Sequence, residues 1–316
     1  TLSSSSAASD VYKRQAYIAE GKKAHLIDCR LALWDPTDLK GYPYFDQTAN
    51  KMRFSAPDEL PDEEMAAQYD VIILFLDELN GASPATQAAA YQLVLNRAIG
   101  KYKLPDNVVI AAAGNRDTDK GVTYRMPAPL ANRFVHLEMR VDFDDWSMWA
   151  TENHIDPQVV GYVSFAKQDL YDFDPKSGSR SFATPRRWAF VSQLLTDTLQ
   201  DNTLTDLVAG AVGEGLAMKF MAHRKIAADL PNPTDILSGK VKKMDTKEVS
   251  AQYSLTISLC YELQEAYDKM KEKKLADWHK MADCFFRYMM DNFQTELVVM
   301  GAKVALTNYQ LPFDPS

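Results

Sequence analysis

In the first half of the chain, apolar residues gather in short continuous runs separated by polar, glycine- and proline-bearing stretches. Residues 24–31 (AHLIDCRL), 71–76 (VIILFL), 107–113 (NVVIAAA) and 133–139 (RFVHLEM) each predict a strand, the last with the weakest pattern. Consecutive apolar positions suit strands covered on both faces, as in a parallel sheet between helices. A helix is predicted between the second and third strands. Ser83 can cap it, Pro84 suits its first position, residues 85–99 carry the apolar face and Gly100 stops it. The stretch after the first strand, with Asp35-Pro36 and Gly41, is predicted to be a loop. From about Trp146 the spacing becomes helical, over 156–168, 185–198, 203–228, 250–273 and 275–303. The pattern thus predicts an α/β core followed by a helical part of similar size.

Composition narrows the picture. The 316 residues are 46% hydrophobic and 25% charged, an ordinary mix for a folded chain. No apolar run approaches the roughly 18 residues that a spanning helix requires, so no membrane partner is expected. Lys plus Arg number 35 against 43 Asp plus Glu, a net charge of −8, which argues against a general nucleic-acid surface. Cys29, Cys260 and Cys284 are scattered, without a CxxC pair. They fit reduced thiols and a cytoplasmic location rather than a disulfide framework or a zinc site. Residues 1–15 (TLSSSSAASDVYKRQ) show no periodicity and no apolar segment of signal-peptide length. They are expected to be unstructured. The string resembles a translated sequencing adapter, the alternative being a natural disordered N-terminus.

Four short motifs carry candidate chemistry. The run 71–76 delivers Asp77 and Glu78 to the end of a buried strand, where open α/β sheets bind ligands. Neighbouring strand residues point to opposite faces. The two carboxylates can therefore divide the work of phosphoryl transfer, Asp77 serving a Mg2+ shell and Glu78 activating water. They would equally suit a strand end running into helix-capping residues. Asn115 follows the third strand, where an amide can orient a water or touch a terminal phosphate; Gly-Asn is also ordinary turn chemistry. Arg133, at the start of the fourth run, suits charge neutralisation on a transferring phosphoryl group, or a surface ion pair. In Thr184-Pro185-Arg186-Arg187 a capping threonine and a first-turn proline open a helix. Paired arginines there oppose the helix dipole, at about 0.3–1 kcal/mol, unless an anion or an acidic side chain offsets them.

Taken together, in this order, the motifs resemble the AAA+ ATPases, and within them the MoxR-like branch, over about residues 16–230. The resemblance implies a P-loop NTPase-type parallel sheet core at 16–145, a helical lid at 146–230 and a helical C-terminal extension at 231–316. It implies that Asp77 and Glu78 are the Walker B pair, Asn115 is sensor 1, Arg133 the arginine finger and Arg186 sensor 2, with Arg187 as runner-up. Residues 33–41 resemble the family's loop after strand 2, and the stretch to Pro61, with Met52-Arg53-Phe54, its insert in helix 2. The family's phosphate loop, GxxGxGK[ST], is not among the 316 residues. The adapter-like stretch stands where strand 1 and that loop would be, so the resemblance implies that both are missing from this chain.

The function so implied is binding and hydrolysis of ATP with Mg2+ in a homo-oligomeric ring, expected to be a hexamer. Such a ring would act as a chaperone-like remodeller of a protein client, for example one with a von Willebrand A domain. Two other classes stay open. One is a scaffold derived from such an ATPase that no longer hydrolyses; the other is a DNA-associated AAA+ protein, a helicase loader or phage motor, for which the basic runs at 240–243 and 269–274 are the local support.

Overall fold

The computed structural model describes residues 15–55, 57–116, 123–174, 176–195, 199–244, 248–270 and 275–313. Apart from Gln15, which opens a helical turn at 15–19, the stretch 1–15 lies outside them. The chain divides into two compact units, Thr1–Met139 and Arg140–Ser316.

The first unit is α/β. Strands β1 (Ala24–Arg30), β4 (Val71–Asp77) and β7 (Val108–Ala112) form a parallel sheet in the order β1-β4-β7. Its register runs from Ala24 opposite Val71 to Arg30 opposite Asp77, and from Ile72 opposite Val108 to Leu76 opposite Ala112. Every residue of β4 is buried, as the run VIILFL requires of a central strand. Helix α3 (Pro84–Asn96) makes the crossover to β7. Ser83 caps it by accepting a hydrogen bond from the Thr86 N–H, and it buries Ala89, Ala90 and Leu93. The helix stops four residues short of the predicted Gly100. Arg97 takes a left-handed conformation, φ +50°, and its guanidinium binds the Pro105 and Val108 carbonyls at 2.6 and 2.8 Å. Residues 98–103 then form a small hairpin, β5 (Ala98–Ile99) with β6 (Tyr102–Lys103).

Two other local expectations change. Within the loop expected after β1, α1 (Pro36–Lys40) forms a helical turn closed by a capping box between Asp35 and Asp38. The stretch that follows holds an antiparallel hairpin, β2 (Pro43–Asp46) with β3 (Lys51–Phe54), and α2 (Glu63–Ala66) leads into β4. The larger correction is the fourth strand. Residues 133–139, after the short α4 (Ala128–Ala131), form no strand. Val135 and Leu137 are 90% and 83% exposed. Their strand-like alternation finds no partner among the described residues, and a strand without a neighbour leaves its backbone groups to water. An exposed apolar segment of this kind promotes association. Leu137→Lys is therefore expected to reduce light scattering at high protein concentration while leaving the melting temperature unchanged.

The second unit is helical among its described residues: α5 (Phe143–Glu152), α6 (Pro157–Phe165), α7 (Pro185–Leu194), α8 (Asp201–Val212), α9 (Glu214–Ala228), α10 (Pro233–Leu237), α11 (Val249–Met270), α12 (Leu275–Asn292) and α13 (Thr295–Thr307). The single helix predicted over 203–228 is two. Gly213, at φ +93°, separates α8 from α9 in a conformation that favours glycine. The helix predicted over 275–303 is also two, with Gln294 at the N-cap of α13. One core gathers Tyr162, Trp188, Phe220 and their neighbours; the other gathers Leu263, Trp278, Phe285 and Met289. Helix α11 serves both, and α6 packs closely on it, since a Cβ at Gly161 would lie 2.6 Å from Ser254 Oγ. Cys29 and Cys260 are buried and Cys284 is partly exposed; all three are free thiols. Among the described residues no helix is long and apolar enough to cross a membrane.

His223 gives this unit a titration. Its Nε2 lies 2.6 Å from Ser254 Oγ, and burial holds its pKa down from 6.5 to about 4, so the ring is neutral in the fold. Between those values the unfolded chain binds a proton that the folded chain does not, so stability falls as pH falls. The expected loss is about 3 kcal/mol from pH 6.5 to 4, with none further below. Urea unfolding at pH 7 and pH 4.5 checks it, His223→Gln being expected to lose less over the same interval.

Candidate functional site

The C-terminal ends of β4 and β7 lie side by side and bring three of the candidate residues together. Asp77 closes β4. It is 5% exposed, and its Oδ1 accepts a hydrogen bond from the Glu78 N–H at 2.9 Å. Arg30 stands opposite it in the register. Asp28, also on β1, has its carboxyl pushed above the usual range by burial and, second, by the charge of Asp77. Asp28 stands opposite Phe75 in the register, two residues before that end.

Glu78 leaves the strand at φ +53°, a left-handed conformation that a glutamate adopts at a cost. The surrounding turn enforces it. The Glu78 carbonyl accepts from the Gly81 and Ala82 N–H groups at 2.8 and 3.2 Å, and Leu79, 1% exposed, plugs into the core behind it. The Leu79 N–H donates to the Ala113 carbonyl at 2.9 Å, which carries the β4–β7 pairing one step past the strands. The result is a buried Asp77 beside an exposed Glu78, two adjacent carboxylates in different surroundings.

Asn115 follows β7 by three residues and is exposed. Its backbone is held by a residue that local pattern did not single out. Asn80 is 7% exposed; its Nδ2 donates to the Asn115 carbonyl at 2.6 Å and its Oδ1 accepts from the Asn115 N–H at 3.0 Å. Gly114 belongs to the same arrangement, because a Cβ there would lie 2.5 Å from Asn80 Oδ1. No signal within DELN or AGN announces a pairing across 35 positions.

The arginines are placed differently. Arg133 is exposed on the turn after α4, in the same unit as Asp77. Arg186 is exposed in the first turn of α7, in the second unit, where Thr184 caps the helix by accepting from the Arg187 N–H. That turn holds no acidic residue, and among the described residues no carboxylate pairs with Arg186 or Arg133. Arg187, the runner-up, lies 6.0 Å from the Phe190 ring centroid.

As a metal ligand Asp77 would not act alone. Among the described residues no group of three His, Cys, Asp or Glu side chains is placed to hold an ion. One carboxylate completed by phosphate oxygens and water is the ordinary way of holding Mg2+ with a nucleotide, so Asp77 fits such an ion.

No family model matches the chain, and no curated protein matches it. Among solved structures it is similar to a crystal structure described as that of "a putative ATPase" from Cytophaga hutchinsonii ATCC 33406. The two are 11% identical, the match covers 91% of this chain and 68% of that one, and the TM-score is 0.28.

Proposed function

We propose that this chain belongs to an ATP-hydrolysing protein of the MoxR-like AAA+ type, with Glu78 as the base. The observation that supports it is the end of β4: a buried Asp77, then a strained and exposed Glu78, beside an Asn115 held in place by Asn80. Strain of this kind, enforced by a surrounding hydrogen-bonded turn, is characteristic of functional positions.

In this reading Asp77 helps hold Mg2+, whose charge would offset that of the phosphates when bound. Glu78 orients a water molecule and takes its proton as the oxygen attacks the terminal phosphorus, while the bond from that phosphorus to the bridging oxygen breaks. The amide of Asn115 orients the water or a terminal phosphate oxygen. Arg133, reaching into the site of the next subunit in a hexameric ring, and Arg186 would offset the charge developing on the phosphates. Arg186 has a physical reason to seek an anion, because a cation without an acidic partner opposes the dipole at its helix start. The ring would remodel a protein client, of which partners with von Willebrand A domains are one class.

The 316 residues contain no GxxGxGK[ST] loop to cradle the phosphates. The deciding test is made on the full product of the gene that encodes these residues. Mg2+-dependent release of phosphate from ATP that Glu78→Gln abolishes supports the reading. Absence of turnover, or turnover that survives Glu78→Gln, overturns it.

A further inference from the structure

We infer that Asn80 is the positioning residue that sets the Asn115 amide against Glu78, so that the two groups handling the water are held as one unit. The inference rests on the reading of this site as an ATP-hydrolysing centre.

Asn80 meets the Asn115 backbone in both directions, donating from Nδ2 at 2.6 Å and accepting at Oδ1 at 3.0 Å. A carboxamide carries a donor and an acceptor on one planar group, the match for a backbone N–H and C=O of the same residue. The strand pairing cannot do this work. β7 ends at Ala112, and its ladder reaches no further than Ala113, which exchanges bonds with Leu76 and Leu79. Among the described residues, Asn80 supplies the hydrogen bonds that the Asn115 backbone makes.

From Asn80 the path back to Glu78 is short and stiff. Residues 78–82 form one turn, closed by the Gly81 and Ala82 N–H groups on the Glu78 carbonyl. The Asn80 carbonyl is itself engaged, accepting from the Tyr124 N–H at 2.7 Å. A displacement of Asn115 is therefore passed to the turn that holds Glu78 at φ +53°, and the reverse. Gly114 permits the close approach, since any Cβ there would strike Asn80 Oδ1. The buried Asn80 handles only backbone, leaving the exposed side chains of Glu78 and Asn115 to face solvent or substrate.

The test uses the full product of the gene that encodes these residues, with kcat and KM for ATP and the melting temperature of each variant. Asn80→Ala is expected to lower kcat about 10- to 100-fold, the size of effect that a misplacement of about 1 Å produces, with little change in KM. Water can take over the bonds at the exposed Asn115, so the melting temperature is expected to move by only a few degrees. In an Asn115→Ala background Asn80→Ala is expected to cost nothing further, because no amide remains to be placed. Asn80→Asp is expected to recover as pH falls, measured as the ratio to the unsubstituted protein. Its neutral acid can donate and accept as the amide does, whereas its carboxylate faces the Asn115 carbonyl without a donor.

Unchanged kcat in Asn80→Ala overturns the inference. So does a loss that adds fully to that of Asn115→Ala, which would mark Asn80 as a part of the fold only. Turnover that survives Glu78→Gln in the same assays overturns the reading of the site instead, and this inference with it.

Discussion

Glu78→Gln is expected to leave ATP binding within about twofold while lowering hydrolysis by about 10²–10⁴-fold, the range contributed by a positioned general base. The substitution keeps the size of the side chain and changes only its ability to take a proton. The backbone that presents residue 78 is held independently of its side chain, through the Gly81 and Ala82 N–H groups on its carbonyl and the Asp77 carboxylate on its N–H. The strained φ of +53° is therefore retained in the variant, and the loss reports on the carboxylate alone. The same measurement on Asp77→Asn separates the two acids. Loss of the Asp77 charge is expected to weaken the response to Mg2+ concentration, whereas loss of Glu78 is not. A variant at Glu78 that hydrolyses ATP at more than about a tenth of the normal rate would remove Glu78 from the role of base.

The second large effect is on stability, and it lies in the helical unit. Trp188→Ala is expected to cost about 3–5 kcal/mol, read as a shift in the urea midpoint at unchanged slope. Trp188 is fully buried, its ring centroid is 5.4 Å from that of Tyr162 and 5.7 Å from that of Phe220, and its Nε1 donates to the Asp169 carbonyl at 2.9 Å. Truncation leaves both a cavity and an orphaned carbonyl. Trp188→Phe keeps most of the packing and loses only the donor, so its cost is expected to be nearer 1–3 kcal/mol. Trp188 lies two residues after Arg186, within the same helix, so it also fixes the frame from which that arginine extends. A loss below about 1 kcal/mol for Trp188→Ala would mean that the packing around it relaxes, against the expectation for a closed core.

The parts of the fold that local pattern anticipated share a cause. A helix satisfies its hydrogen bonds within its own segment, so caps and spacing are enough to place it. Ser83-Pro84 starts α3 and Thr184-Pro185 starts α7, both where the residues themselves indicate. Where a helix stops, or breaks in two at Gly213, depends on what the chain meets next. The periodicity over 203–228 ran through that glycine because both halves present apolar residues to one core. The apolar run at β4 is equally plain, since a fully covered strand is apolar at nearly every position, whereas β1 and β7 are only partly covered and leave Asp28, Arg30 and Val109 exposed.

The segment 133–139 shows where pattern alone gives out. It alternates as a strand should, yet Val135, Leu137 and Met139 lie exposed, because a strand's hydrogen bonds come from another part of the chain and none of the described residues supplies them. The site divides along the same line. Residue order alone determined that a buried apolar run leads into Asp77-Glu78, that Asn115 follows another strand, and that Arg186 opens a capped helix without an acidic neighbour in its first turn. The tertiary structure decided the rest: the neighbouring of β4 and β7, the left-handed turn at Glu78, and the clamp that Asn80 closes on Asn115. The clamp depends on groups 35 positions apart meeting within hydrogen-bond distance, and local pattern is blind to such meetings.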